Sequence, residues 1–150
     1  MHNPNTSIPL PVPRGPNSGP CSLAVQITFP SVWTNTCCSH PISGCDPSEV
    51  DEDADIARGT VPGAKRAAIR KLEHELGIPA GSIPASAFKY LTRIHYAARD
   101  TRTHGEDSPW GEHEVDYILL ARVPRGQIQM TPNPEEVDDV KYVQPLPVWL

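Results

Sequence analysis

Long apolar runs are missing from this 150-residue chain: nothing approaches the roughly 20 consecutive apolar residues of a membrane helix, so no span is expected. Its start has neither the apolar core of a secretory signal nor the Arg-rich amphipathic pattern of a transit peptide, which points to the cytoplasm. In that compartment the cysteines Cys21, Cys37, Cys38 and Cys45 are expected as free thiols rather than disulfides. Positive charge is also scarce. With 13 Lys and Arg against 18 Asp and Glu, the net charge is -5 and the pI about 5.6. That balance argues against nonspecific binding of nucleic acid and leaves room only for a local basic pocket holding a small anion. The length suits one domain with a single core, and a monomer is expected.

Proline, by contrast, is plentiful, with 18 residues crowded toward the two ends. Pro4, Pro9, Pro11, Pro13, Pro16 and Pro20 sit among Asn, Ser and Gly, a composition that removes backbone donors and disfavours helix and central strand. Residues 1–22 are therefore expected as a disordered tail, with a polyproline II ligand around Pro9 to Pro13 as the second reading. Leu23, Val25, Ile27 and Phe29 alternate as a short strand that Pro30 ends, and residues 144–150 read as an irregular tail. Ser43 to Arg58 carries Glu49, Asp51, Glu52, Asp53 and Asp55 close together and reads as a solvated loop without the spacing of an EF-hand.

Ala64, Ala68, Ile69, Leu72 and Leu76 fall on one arc at helical spacing, with Arg66, Arg70, Glu73 and His74 on the other. This predicts a helix over 64–76, stopped by Gly77 and Pro79. Glu75 lands near the apolar side, where an ionised carboxylate needs a cation. A bound metal or Lys71, one turn earlier, would serve, and the plain ion pair would contribute roughly 0.2–0.5 kcal/mol.

Leu91 to Ala98, with Thr92, Ile94 and Tyr96 on one face, and Glu112 to Val123 predict two strands, joined as a hairpin by the polar run Arg99 to Pro109. On the second strand Glu112, Glu114 and Asp116 share a face, the first two about 6.6 Å apart in rise. Spacing alone favours a solvated surface there. Cys37, Cys38 and His40 put two thiols and an imidazole on one short segment before Pro41. Taken singly, a buried thiol at Cys38, a turn histidine at His40 and a core aromatic at Tyr96 are the simpler readings.

Read as strings, these stretches point further. Thr28-Phe29-Pro30-Ser31-Val32-Trp33-Thr34-Asn35-Thr36-Cys37-Cys38-Ser39-His40-Pro41 resembles the active-site segment of the Nudix-like isopentenyl diphosphate isomerases. Arg66 to Pro79 is similar to the altered Nudix helix of that family, Arg93-Ile94-His95-Tyr96 and Trp110-Gly111-Glu112-His113-Glu114-Val115-Asp116-Tyr117 to its tyrosine and Glu-x-Glu strings, and Asn133 to Val143 to its last strand. Gly59, Arg70, Leu72, Glu75, Gly77 and Ile78 sit where a Nudix box places its fixed residues. Lys65, Lys71 and His74 stand in place of the glutamates that hold a hydrolase's metals, which argues against diphosphate hydrolysis. The resemblance covers roughly residues 27 to 143 and implies an α/β (α+β) fold, a Nudix-like α/β/α sandwich with a mixed sheet over 23–143.

It further implies conversion of isopentenyl diphosphate to dimethylallyl diphosphate, in which one alkene carbon gains a proton and its neighbour loses one. Cys38 and Glu114 match the two acid-base groups, with Tyr96 hydrogen-bonded to Glu114. His40, Glu112 and Glu114 match three of the family's five protein ligands to a divalent ion, Zn²⁺, Mn²⁺ or Mg²⁺. Glu75 matches the ligand to a second ion, Mg²⁺ carried by the diphosphate, and Lys71 the basic residue that binds the diphosphate. Upstream of Thr28 the family supplies two more histidine ligands and a basic segment, whereas here His2 is the one earlier histidine and Ser22 and Gln26 replace Arg and Lys. The chain is expected to be shortened at both ends, with incomplete N-terminal strands and weak or no turnover. A noncatalytic remnant binding a partner through an open sheet edge is the alternative, ahead of a Nudix hydrolase.

Overall fold

The structure is a computed structural model and describes residues 9–11, 35–124 and 126–142. In chain order these hold β1 (Pro9–Pro11), α1 (Asp53–Arg58), α2 (Pro62–Leu76), β2 (Phe88–Arg99), α3 (Thr101–His104), β3 (Gly111–Ala121) and β4 (Val140–Tyr142), a mixture of helix and strand. The expected strand Leu23 to Phe29, the tail 144–150 and most of the tail 1–22 lie outside the described residues. No helix among the described residues is long and apolar enough to cross a membrane.

Helix α2 begins where Pro62 occupies the first helical turn, a position that needs no backbone donor. Its free N–H groups at Gly63 and Ala64 donate to the two carboxylate oxygens of Asp51 at 2.6 and 2.9 Å, which places a negative charge at the positive end of the helix. A Cβ at Gly63 would collide with the Glu49 carbonyl, so the loop carrying Asp51 crosses the helix at a spot that admits only glycine. At the other end Gly77 turns out of the helix at φ 60°, and the carbonyls of Glu75 and Leu76 accept from Asn133 and Thr131, each at 2.8 Å.

The buried face of α2 is Gly63, Ala64, Ala67, Leu72 and Leu76. It is rotated from the expected arc: Ala67 is inside, while Ala68 and Ile69 are only partly buried. The rotation has a cause. Residues 39–51 lie against the Gly63 and Ala67 side, where Ser39 Oγ donates to the Ala67 carbonyl at 3.2 Å. Leu72 and Leu76 meet Ile78, Ile83, Phe88, Ala121 and Val137 in one core that joins the helix to the root of the hairpin.

Strands β2 and β3 pair antiparallel from Phe88↔Ala121 to Arg99↔Gly111, with a register shift between Tyr90 and Thr92. The hairpin expected from the alternation is therefore present and longer than its polar pattern suggested. Between its strands the expected loop contains a single helical turn, α3. Fully buried Asp100 nucleates it, accepting from the Thr103 N–H at 3.0 Å. The acidic stretch 43–58 also departs from a solvated loop: its end coils into α1, and Glu49 is buried.

β1 pairs antiparallel with β4, Leu10 opposite Lys141, so three residues of the proline-rich stretch lie in a strand. Proline on both sides of Leu10 leaves one backbone donor in β1, which suits a short edge pairing and no more. The described residues thus contain two two-stranded antiparallel sheets.

Leu76 has no exposed surface and sits at the centre of the core. Leu76→Ala should lower unfolding free energy by about 2–5 kcal/mol in urea titrations monitored by circular dichroism, with the helix end as the first region to lose amide protection.

Candidate active site

One face of the hairpin gathers the acids. Because alternate residues of a strand share a face, Glu112, Glu114 and Asp116 of β3 lie on the side that carries Tyr96 of β2, which stands directly opposite Glu114. The Tyr96 hydroxyl reaches both carboxylates, at 2.9 Å to Glu112 and 3.4 Å to Glu114. The expected contact to Glu114 is thus the longer of two. Burial, followed by the hydrogen bond to Glu112 and the surrounding carboxylates, raises the Tyr96 phenol well above its ordinary pKa, so it remains a donor at any physiological pH.

The cysteine segment is held against α2 by one guanidinium. Arg70 donates from Nε and Nη2 to Glu49 at 2.7 and 2.9 Å, and from Nη2 to Ser39 Oγ at 3.3 Å and the His40 carbonyl at 3.1 Å. Glu49 in turn accepts from the Ile42 N–H at 2.9 Å. The residues flanking Cys38 are therefore fixed to the helix, and the bidentate Arg70–Glu49 pair holds the Glu49 carboxyl below the usual carboxylate range.

Cys37 and Cys38 line a cavity of about 400 Å³ walled mainly by Ala64, Ala67, Leu72, Ile83, Phe88 and Leu119. Burial pushes the Cys37 thiol up to about 12, with Glu75 adding to the shift and Lys71 opposing it. Cys38 is exposed as a residue, yet the cover around its sulfur raises its pKa too, followed by the charges of Asp116, Glu114, Glu75 and Glu112. The thiol of Cys38 therefore stands within the field of the acid face and is protonated at neutral pH.

On α2, Lys71 Nζ lies 3.0 Å from Glu75 and 3.5 Å from Glu136, and His74 lies 3.8 Å from the other oxygen of Glu136. The cation that meets Glu75 here is Lys71, one of the two alternatives the helical spacing left open. Desolvation raises the Glu75 pKa in spite of that partner.

The structure brings together Tyr96, Glu112 and Glu114, couples Cys38 to them through their charge, and pairs Lys71 with Glu75. It does not gather His40 with the two glutamates. The His40 side chain is exposed, and the described residues contain no group of three or more His, Cys, Asp or Glu placed to hold a metal ion. Arg70 occupies a Nudix-box position on the helix face read as solvent-exposed, but its hold on the cysteine segment, and the parts of Glu49 and Glu136 in this region, are not written in the sequence pattern. Each acts through a partner more than twenty residues away or from across the fold, which helical periodicity does not encode, although an acidic residue in the run 49–55 and an arginine one helical face away were visible as unpaired charges.

Residues 59–148, which hold α2 and the acid-bearing hairpin, match the NUDIX domain family. The chain belongs to that family. Within it, the chain is 52% identical over 118 residues to an isopentenyl-diphosphate delta-isomerase of Phaffia rhodozyma, covering 79% of this chain and 40% of the relative. It is 48% identical over 118 residues to the isopentenyl-diphosphate delta-isomerase of Schizosaccharomyces pombe, covering 79% and 45%. To isopentenyl-diphosphate Delta-isomerase 1 of Bos taurus it is 47% identical over 118 residues, covering 79% and 44%. The chain thus spans less than half the length of these relatives.

Replacing Arg70 by Met leaves buried Glu49 with only a backbone donor. Discounted for the partly exposed guanidinium, the loss should be about 1–2 kcal/mol at neutral pH. Because the folded carboxyl has the lower pKa, this contribution is full above the unfolded carboxylate pKa and fades as pH falls through the folded one, so Arg70→Met and the parent should converge in acid denaturation series.

Thiol chemistry provides a second check. At pH 8 the raised thiols carry little thiolate, so of the three described cysteines iodoacetamide should modify exposed Cys45 first, Cys38 more slowly and Cys37 last, as read by peptide mass mapping. Equal rates at Cys37 and Cys45 would contradict the buried setting of Cys37.

Proposed function

We propose that this chain carries part of the catalytic site of an isopentenyl diphosphate isomerase, interconverting isopentenyl and dimethylallyl diphosphate in isoprenoid biosynthesis. The observation that carries the reading is Tyr96 bridging Glu112 and Glu114 while the Cys38 thiol stands in the field of the same acids at an apolar cavity. Moving the double bond needs a proton placed on one alkene carbon and another taken from its neighbour. Cys38 and Glu114 supply the two groups, each acting as acid in one direction of the reaction and as base in the other. Tyr96, kept as a phenol, donates to the carboxylates and fixes their orientation. The apolar walls near Leu72, Ile83 and Phe88 exclude water from the five-carbon chain and from the tertiary cation it forms.

Lys71 binds the diphosphate by exchanging one carboxylate partner for a phosphate oxygen. The divalent ions implied by the family resemblance are a different matter. His40, Glu112 and Glu114 do not form a three-donor set, and Glu75 is engaged by Lys71, so the donors in place do not fit either ion and no step is assigned to one. With that set incomplete, turnover by this chain is weak. The proposal extends to a cytoplasmic monomer whose hairpin belongs to a mixed sheet within an α/β/α sandwich.

Deuterium incorporation tests this reading even where turnover is slow. Incubated in D₂O with isopentenyl diphosphate, the chain should place deuterium in the allylic product, and Cys38→Ala or Glu114→Gln should each lower the rate by about 100- to 10,000-fold. Incorporation that persists unchanged in both variants sinks the proposal. Substrate-analogue binding without any exchange would instead support a noncatalytic binding module.

A further inference from the structure

We propose that His95 and His113, on the hairpin face opposite the acids, form a site for a divalent transition-metal ion of the Ni²⁺ or Cu²⁺ class. Their placement follows from the ladder. His113 stands opposite Ala97 and His95 opposite Val115, so the two imidazoles are diagonal neighbours on one face while Tyr96, Glu112 and Glu114 point to the other. The rings stack with centroids 4.9 Å apart and planes inclined by 27°, and the two Nε2 atoms approach to 2.7 Å. Both residues are exposed, so an ion reaches them from solvent.

At that separation one Nε2 donates its proton to the lone pair of the other, and two nitrogen lone pairs therefore converge on a single proton. A metal ion is the species that replaces such a proton and takes both lone pairs after small turns of the rings. Ligand type, and the smaller opening of the pair that is needed, point to the ion class. With metal–nitrogen bonds of 2.0–2.1 Å, cis positions at a square-planar or tetragonal ion place the nitrogens about 2.9 Å apart, against about 3.3 Å at a tetrahedral one. The 2.7 Å of the hydrogen-bonded pair must open in either case, by less at a square-planar or tetragonal ion, and imidazole is a preferred ligand of Ni²⁺ and Cu²⁺. No third His, Cys, Asp or Glu joins the pair among the described residues, so water fills the remaining positions. The paired backbone of β2 and β3 holds the donors in place, which lowers the cost of ordering them.

The site is separate from the isomerase reading, because neither imidazole belongs to the acid face, and it stands or falls alone. The test is calorimetric titration of the full chain with Ni²⁺ alone, which is redox-inert toward the thiols. A saturable one-ion site is expected, weakened at least tenfold by His95→Asn and by His113→Asn and retained in Glu112→Gln/Glu114→Gln. Val115→His, which adds an imidazole directly across from His95, should tighten binding at least tenfold. Circular dichroism at the same concentrations checks that each variant is folded. Binding that is unchanged in both asparagine variants, lost with the glutamates, or not strengthened by Val115→His overturns the proposal.

Discussion

A single charge pairing, between a partly exposed guanidinium and a buried carboxylate, governs how this molecule presents its chemistry. Arg70 leaves the face of α2 that amphipathic spacing assigns to solvent and turns its guanidinium to Glu49, Ser39 and the His40 carbonyl. Guanidinium is suited to this because its donors are fixed in one plane and engage several acceptors at once. Glu49 then extends the contact to the Ile42 N–H, and Asp51, two residues on, caps the same helix. The segment that holds Cys37 and Cys38 has little regular structure of its own. Its position derives from polar contacts to α2, so the helix sets the geometry of a segment outside it.

The opposite end of α2 works by the same logic with different groups. A helix leaves its last carbonyls without partners, and here residues 131–133 supply the donors. That docking carries the following turn across the helix and brings Glu136 to Lys71 and His74. Lys71 is thus shared between a carboxylate on its own helix and one delivered by a distant loop, and any anion that binds it competes with both. Between the two ends, the apolar face of α2 packs on Phe88 and Ala121 at the hairpin root, which joins the cysteine segment and the acid strand through one core.

Much of this architecture is written in the amino-acid sequence. Alternation from Leu91 to Ala98 and from Glu112 onward gave both strands, because a half-buried strand writes its two faces into every second residue. The stop at Gly77 is equally local, because glycine takes the left-handed φ of 60° without strain, whereas the closeness of the Thr131 carbonyl to its Cα depends on a distant partner. What was not legible depended on distant partners. The rotation of α2 comes from a loop crossing Gly63, the helical turn α3 from the buried carboxylate of Asp100, and the burial of Glu49 from an arginine 21 residues later. The family strings, in contrast, marked Tyr96, Glu112 and Glu114 together, and the hydrogen bonds between them follow from the register. Only the sequence strings linked His40 to those acids, and the described fold leaves it apart.

The β2–β3 hairpin carries different chemistry on its two sides along one backbone. Its acid side and its imidazole side are interleaved residue by residue, Glu112, His113, Glu114, Val115, so the spacing of this stretch is as constrained as its composition. A one-residue deletion inside the strand, even of a small or apolar residue, would transpose the sides, sending carboxylates where imidazoles stand and imidazoles toward Tyr96. The connecting turns from Thr101 to Trp110 face no such rule. Length variation among descendants of this chain should therefore collect in that connection, while the strands tolerate changes of residue but not of count.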